Sequence, residues 1–193
     1  MNIIPFFIED NVYSIHIIDK TNYEYYNLVL EKLNICSTNF ISNNYETLSY
    51  ESLSESGYIG CFITNTSNSI IFSSLIIDLE CVDIKNKITN TELINNAISI
   101  SLLCSDMKKR IPKLTYLFVQ YVIYNIIPLY KPIKRVLLYV AKGKENQQAI
   151  SFYQKLGFVL NENNIMILSI TQNKGGTKRK RRIKRRNKTR HYK

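Results

Sequence analysis

The sequence predicts an α/β or α+β domain in which a central sheet is flanked by helices. Two β-rich runs, residues 58–64 and 70–82, are separated by the polar stretch 65–68, a pattern typical of a hairpin. A third apolar run follows at residues 95–105, and later strands alternate with helical segments. The predicted order is therefore β-α-(α)-β-β-β-α-β-α-β, with the last two helices crossing between strands.

The N-terminal third adds one strand and one helix to this scheme. Residues 12–18 are rich in β-branched and aromatic residues and predict a strand, and residues 23–33 have helical spacing of apolar positions. Residues 37–56 are polar and poorly periodic, so we expect a loop there with one short helix within 45–53.

Proline and glycine mark the ends of the predicted helices in the C-terminal half. Pro112 is expected in the first turn of an apolar helix over 114–127, and Pro128 and Pro132 are expected to stop it. A strand at 133–140, a helix at 145–156 capped by Gly157, and a strand pair within 158–170 complete the predicted domain.

Charge divides the chain into two parts. Residues 174–193 hold 12 of the 26 Lys and Arg residues and no acid, which leaves 14 basic against 15 acidic residues in 1–173. We therefore predict a folded domain over 1–171 and a disordered basic tail over 172–193. The expected partner of the tail is a polyanion, with nucleic acid favoured; a nuclear localisation signal and an anionic membrane surface are the alternatives. A glycine pair followed by a basic terminus also resembles tails on proteins of large DNA viruses.

The cysteines and the N-terminus favour an intracellular protein, cytoplasmic or nuclear. The four cysteines are far apart and show no metal-binding spacing, so we expect reduced, half-buried thiols and no metal: Cys36, Cys61, Cys81 and Cys104. The apolar start, residues 1–9, has neither a basic flank nor a cleavage site, and no segment has the length of a membrane helix.

One segment carries a specific resemblance. Residues 146–158, NQQAISFYQKLGF, match N-x-x-A-x-x-F-Y-x-K-L-G-F, a signature that resembles the GCN5-related N-acetyltransferase superfamily. The alternative interpretation is an amphipathic helix whose apolar face is simply core. The strand before the motif, the Gly157–Phe158 strand entry after it and the β-helix-β order upstream favour the family.

The resemblance implies an acyl-CoA N-acyltransferase fold: a mixed, mostly antiparallel sheet splayed between its fourth and fifth strands, here 98–105 and 133–140. The pantetheine arm of acetyl-CoA would pair with backbone groups exposed by the splay, at Leu102 and Cys104. The position of Tyr153 in the motif implies an acid that protonates the departing thiolate, and that of Asn146 implies a contact to the cofactor. A packed core ring is the alternative for Tyr153.

The family's pyrophosphate loop, Q/R-x-x-G-x-G/A, is divergent here. Aligning Leu117 with the usual leucine places Lys109, Pro112 and Leu114 at the basic position and the two glycine positions. Glycine lets backbone amides approach phosphate, and proline also removes an amide donor. A helix N-terminus with nearby cations can still bind phosphate, so the expected pyrophosphate contacts are Lys109, Arg110, Lys113, Leu114 and Thr115. A solvated cationic loop, which also includes Lys108, is the alternative.

The sequence does not identify a single residue as the general base. Asp78, Glu80 and Asp83 are candidates, because a carboxylate near the central strands could deprotonate an amine. A Cys104 or Ser105 nucleophile is disfavoured, since His16 and His191 are the only histidines.

The sequence thus predicts transfer of an acetyl group from acetyl-CoA to a primary amine. The main alternative is a degenerate, non-catalytic acetyltransferase fold that acts as a binding module and contacts nucleic acid through its tail. A purely basic nucleic-acid-binding protein is disfavoured by the near-neutral body.

Overall fold

The computed structural model describes residues 3–22, 57–68, 70–85, 87–88, 91–105, 111–140 and 146–170. The helix predicted at 23–33, the short helix predicted within 45–53 and the basic tail lie outside these residues.

The described residues form one mixed sheet of eight strands in the order β1-β2-β3-β4-β5-β6-β8-β7. All neighbours are antiparallel except β5 and β6, which are parallel. The strands are β1 (Ile3–Ile8), β2 (Asn11–Ile18), β3 (Tyr58–Asn65), β4 (Ile71–Asp78), β5 (Ala97–Ser105), β6 (Arg135–Tyr139), β7 (Val159–Leu160) and β8 (Ile165–Ser169). The predicted α+β class and the predicted strands are confirmed, with the second hairpin strand ending at Asp78 rather than at residue 82.

Strand β1 was not predicted. It pairs with β2 from Ile3↔His16 to Ile8↔Asn11, and the turn between them holds Glu9 at φ 52°. A tight hairpin turn is usually predicted from Gly or Asn at its positive-φ position, and this turn has glutamate there. Because β1 comes first, the family's fourth and fifth strands are β5 and β6 here.

A long helical segment crosses one face of the sheet. It consists of α2 (Leu114–Tyr121), a π-helical turn (Val122–Ile126) and α3 (Ile127–Tyr130); the other helices are the short α1 (Val82–Lys85), a 3-10 turn (Thr91–Leu93) and α4 (Gln147–Lys155).

The predictions for Pro112 and Pro128 are wrong, whereas the stop predicted at Pro132 is confirmed. The first helical residue is Leu114, so Pro112 lies before the helix rather than in its first turn. Pro128 does not stop the helix, because the π turn changes the hydrogen-bond register just before it: the Ile127 N–H bonds to Val122 O. The helix ends where Lys131 becomes extended, the conformation favoured before Pro132.

The helices α2, α3 and α4 pack on the same face of the sheet, called here the helix face. Its buried residues come from neighbouring strands and from both helical segments, and they include Ile15, Ile63, Leu75, Ile98, Val136, Phe118, Val122, Tyr153 and Phe158. The opposite face holds a second buried cluster of Cys81, Ile84, Ile88, Ala97, Leu137 and Ile165. Among the residues described, no helix is long and apolar enough to span a membrane.

The expectation of reduced, half-buried cysteines is wrong in two respects. Cys61 and Cys81 have free thiols, but both are fully buried. Cys104 is disulfide-bonded, and the remaining cysteine, Cys36, lies outside the described residues. Disulfide formation depends on the approach of two Cβ atoms in the folded chain, which spacing in the sequence does not reveal.

The end of α4 is fixed by a Schellman motif, as predicted from Gly157. The Gly157 N–H bonds to Gln154 O at 2.9 Å and the Phe158 N–H to Tyr153 O at 3.0 Å. Gly157 has φ 97°, and a Cβ there would lie 3.3 Å from Leu168 Cδ1. The rings of Tyr153 and Phe158 meet edge-on with centroids 5.5 Å apart, so this cap also sets the position of Tyr153.

Gly157→Ala should lower the free energy of unfolding by about 1–2 kcal/mol, the cost of a left-handed backbone for a residue with a Cβ. Urea unfolding of the full chain measures it. Ser151→Ala, at an exposed position of the same helix, is the matched control and should change stability by less than about 0.5 kcal/mol. Equal stability of the two variants would contradict the role assigned to this cap.

Candidate functional site

The sheet opens between β5 and β6. These strands pair through only three residue pairs, Ala97↔Arg135, Ile98↔Val136 and Ser99↔Leu137. β5 then continues to Ser105, and along this stretch no described strand pairs with its β6-facing edge. Backbone N–H and C=O groups on such an edge need a partner. The gap, called here the splay, is therefore a place where an extended ligand could complete the hydrogen bonding.

A β-bulge lies beside the apex of the splay. In the β4–β5 register, Ile77 pairs with Ile100 but Ile76 pairs with Leu102, so Ser101 is an extra residue in β5. A bulge bends its strand and increases the local twist. β5 therefore bends where its pairing with β6 ends, and Leu102 and Cys104 both lie in the splayed half.

The N-terminus of α2 lies at the open end of the splay. Its N-cap residue, Lys113, has φ 64° and ψ −12°, and no side chain caps the helix. The Leu114 N–H bonds to Ile111 O, so the next amides of the first turn, those of Thr115 and Tyr116, carry the positive end of the helix dipole. The positive φ that glycine would favour falls on Lys113, between the two aligned positions Pro112 and Leu114.

Three hydroxyls tie this helix start to the sheet. Ser73 Oγ lies 2.9 Å from Ser105 Oγ and 2.7 Å from Thr115 Oγ1, and Ser105 Oγ lies 2.7 Å from Thr115 Oγ1. The hydroxyl of Thr115 is therefore engaged, and the side chain of Leu114 is buried in the core. Both residues could offer only backbone groups to a ligand. Lys108, Lys109 and Arg110 lie outside the described residues.

Helix α4 carries two of the predicted site residues. Asn146 is its N-cap residue, half-buried, and begins the helix just after the C-terminal end of β6. Tyr153 lies seven residues later, roughly 10 Å down the helix at 1.5 Å per residue. The two residues thus lie about two helical turns apart on α4.

The Tyr153 ring is 8% exposed and belongs to the helix-face core, with Phe152 and Phe158 as edge-on neighbours at 5.4 and 5.5 Å. Burial raises the pKa of its phenol well above the usual value. The described residues offer the hydroxyl no hydrogen-bond partner. The position of Tyr153 is therefore compatible with both interpretations, a packed ring and a reacting hydroxyl. The ring is part of the core, and the hydroxyl makes no hydrogen bond to a described residue.

The carboxylate candidates differ in their surroundings. Asp78 is fully buried at the end of β4, and its Oδ1 accepts a hydrogen bond from the Glu80 N–H at 2.8 Å. Glu80 itself is exposed. The side chain of Asp83 lies outside the described part of the structure. Only Asp78 thus has a defined place near the apex of the splay.

The described cysteines and His16 do not form a nucleophile–base pair. Cys104 is disulfide-bonded, and burial raises the pKa of the Cys81 thiol to about 11. His16 stacks on Phe62, and its Nε2 lies 3.0 Å from Asn68 Oδ1 and 3.2 Å from Thr64 Oγ1. Burial lowers its pKa, and two strands separate it from β5, a distance of roughly 14 Å. These groups favour a chemistry that needs no enzyme nucleophile.

Sequence reasoning missed Ser73, Ser99 and Ser101. The first joins the hydroxyl cluster, the second marks the last β5–β6 pair and the third is the bulge residue. The alternating Ile-Ser-Ile-Ser pattern predicted a strand, but nothing in it distinguishes a bulged serine from a paired one.

Comparisons with solved structures identify this architecture. The structure of Arabidopsis thaliana NAA60 in complex with acetyl-CoA superposes with a TM-score of 0.54 at 12% identity, covering 82% of this chain and 98% of that one. The ribosomal-protein-S18-alanine N-acetyltransferase of Escherichia coli gives 0.54 at 13%, covering 86% and 99%. AtaT complexed with acetyl-methionyl-tRNAfMet gives 0.51 at 13%, covering 81% and 94%. No protein-family model matches the sequence, and the search of curated proteins found no match.

The protein therefore has the GCN5-related N-acetyltransferase fold, the acyl-CoA N-acyltransferase fold, as the motif at 146–158 predicted. At these identities the likeness establishes the fold.

Proposed function

We propose that this protein is an N-acetyltransferase that moves an acetyl group from acetyl-CoA to a primary amine. The observation that carries the proposal is the splay between β5 and β6, with a bulge beside its apex. Acetyl-CoA supplies the acetyl group as an activated thioester, so an amine can attack it directly. This agrees with a site whose described residues include no nucleophile–base pair.

The residues present fit acetyl-CoA. The backbone of Leu102 and Cys104 lies on the unpaired stretch of β5, where it would bond the amide groups of the pantetheine arm. The first-turn amides of α2, the Thr115 N–H among them, and the ammonium of Lys113 would bind the pyrophosphate. Lys109 and Arg110 would add further cations, and Asn146 would contact the arm from the other side of the gap. Lys113 adopts the left-handed conformation that a glycine would provide, and it adds a charge that glycine lacks.

Tyr153 would donate a hydrogen bond to the sulfur of the leaving group. Its raised pKa keeps the phenol protonated at working pH, so the donor is always present. An ordinary thiol has a pKa of about 8.5 and a phenol about 10, so full transfer from a buried phenol to a solvated thiolate is uphill. Burial of the developing thiolate raises its basicity and reduces this difference. The stabilisation is therefore strongest in the closed, water-poor site.

Tyr153→Phe should lower turnover roughly 10²–10⁴-fold, the range expected for positioned proton transfer, while acetyl-CoA affinity stays nearly unchanged. Calorimetry gives the affinity, and release of free CoA thiol in the presence of an amine panel gives the turnover. Tyr124→Phe, on a half-exposed ring of the long helical segment, is the matched control. If Tyr153→Phe turns over as fast as the control, Tyr153 has only a packing role. If the unsubstituted chain does not bind acetyl-CoA, the enzyme proposal is wrong.

The basic tail supports a second proposal, contact with nucleic acid. This contact would also occur in the alternative, a non-catalytic acetyltransferase fold that acts as a binding module. Its 12 Lys and Arg residues within 174–193 are too charged to bury and suit phosphate neutralisation. The last described residue before the tail is Ile170, just after β8; its N–H donates to the backbone oxygen of Lys134, whose side chain is exposed. One protein of the same fold, AtaT, was captured with an acetylated aminoacyl-tRNA. An amine acceptor carried by, or bound to, nucleic acid would combine the two features.

Retention on single-stranded RNA should fall steeply with salt, because each neutralised phosphate contributes a slope of about −0.7 in log K against log salt. A chain ending at Thr171 should lose this retention and keep its circular dichroism spectrum. Salt-sensitive binding that survives the truncation would move the contact to the folded domain.

A further inference from the structure

An open groove of about 940 Å³, called here the aromatic groove, lies between the N-terminal hairpin and one flank of the long helical segment. Its floor includes the buried rings of Phe6 and Tyr13, from β1 and β2. Its wall includes Tyr121 and Tyr124, which follow Leu117 at spacings of four and three residues and therefore share one flank of the helix. The rings of Phe6 and Tyr121 meet edge-on at 5.1 Å, so floor and wall are in contact.

The aromatic groove is separate from the splay. β1 lies four strand positions from β5 in the sheet, roughly 19 Å at the usual strand spacing. The groove and the splay share only the loop before α2, because Pro112 and Lys113 also line the groove. The occupant of the groove is therefore not the pantetheine arm, which the proposed function assigns to the splay.

The outer edge of β1 is poorly suited to an added peptide strand. Pro5 lies in the middle of β1, opposite Ser14, and has no N–H to donate. Inside a strand, proline is found at sheet edges with its nitrogen facing away from the ladder, and it discourages further pairing there. The groove beside this edge therefore favours a ligand held by side chains over a peptide held by strand addition.

The wall of the aromatic groove presents groups that suit a nucleobase. The Tyr124 ring is 48% exposed and Tyr121 is half-buried, so part of each ring is open to a flat ligand. Asn125 and Gln120 also line the groove. Their amide nitrogens donate to the backbone oxygen of Tyr121 and to the Tyr116 hydroxyl, at 3.2 and 3.0 Å, which leaves the amide oxygens to accept from a ligand. A base offers both a π-face and N–H donors, which match these features.

Positive charge lies at the end of the groove where α2 begins. Lys113 lines this end with an exposed side chain, and the residues directly before Ile111 in the chain, 108–110, are all basic. Glu9 is the one acid among the described lining residues, and it is exposed on the hairpin side, where it would repel phosphate. A nucleic acid is therefore expected with its phosphates along the basic segment and its bases toward the aromatic wall.

We propose that the aromatic groove binds bases of a single-stranded nucleic acid by stacking them on Tyr121 and Tyr124. Aromatic stacking beside a cationic track is the usual way in which single strands are bound without regard to sequence. The inference rests on the nucleic-acid contact proposed for the tail and does not depend on acetyl transfer. The tail supplies phosphate neutralisation, and the groove supplies contacts that depend on the bases.

The test measures binding of the full chain to a uridine oligonucleotide and to an abasic oligonucleotide of the same length, by fluorescence anisotropy over a salt series. The unsubstituted chain should bind the uridine oligonucleotide more tightly. Tyr124→Ala should lower that affinity roughly 5–150-fold, the range for one lost base–aromatic stack. It should leave the abasic affinity and both salt slopes unchanged, because it removes no charge.

Two variants serve as controls. Tyr124→Phe keeps the ring and should bind as the unsubstituted chain does. Tyr130→Ala alters a comparably exposed ring, 38% against 48%, in the same helical segment but outside the described lining of the groove. It should also leave both affinities unchanged.

Two results would overturn the inference while the salt slopes still report the tail contact. One is an equal loss of both affinities in Tyr124→Ala, and the other is a uridine affinity equal to that of Tyr130→Ala. A loss of acetyl-CoA affinity in Tyr124→Ala with oligonucleotide binding intact would assign the groove to the adenine of the cosubstrate and would also overturn it.

Photocrosslinking of a thiouridine oligonucleotide to the unsubstituted chain does not depend on the folding of any variant. Crosslinks within residues 117–125 support the inference, and crosslinks confined to the tail contradict it. If the unsubstituted chain binds neither oligonucleotide, the tail proposal is wrong and the inference fails with it.

Discussion

The arrangement of this protein depends on the point where β5 and β6 stop pairing. Two parallel strands that continued side by side would satisfy each other's backbone groups and leave no opening, but here the pairing ends at Ser99↔Leu137. The bulge at Ser101 bends β5 at the same place. The unpaired edge of β5 and the start of α2 then lie at one gap, and the last pair, Ser99↔Leu137, marks its closed end.

The loop before α2 lacks the glycines that the family's pyrophosphate loop has, but a phosphate site does not depend on glycine alone. A helix start offers free amides and a partial positive charge whatever its sequence. Glycine helps because it adopts positive φ without strain, and Lys113 adopts that conformation instead. One residue directly before α2 therefore still has a positive φ, and it is a lysine. The hydroxyl cluster of Ser73, Ser105 and Thr115 holds the helix start against the sheet.

The parts of the fold that the sequence predicted are those with local signals. Hydrophobic alternation marked the central strands, and Gly157 marked the end of α4 because only a residue without a Cβ is comfortable at φ 97°. Strand β1 was not predicted because its turn has glutamate at positive φ. The helix continues past Pro128 because a π turn changes the hydrogen-bond register just before that proline. The bulge at Ser101 depends on the register between β4 and β5, and the disulfide of Cys104 depends on tertiary approach; neither leaves a pattern along the chain.

The central claim is that the splay receives the pantetheine arm of acetyl-CoA. Backbone amide hydrogen exchange of the full chain, with and without acetyl-CoA, tests it most directly because it locates the ligand by the backbone groups that become bonded. The account predicts slower exchange in residues 102–105 of β5 and in the first turn of α2, with β1 and β2 unchanged. Unchanged exchange throughout, or slowing confined to residues outside the splay and the helix start, would contradict it.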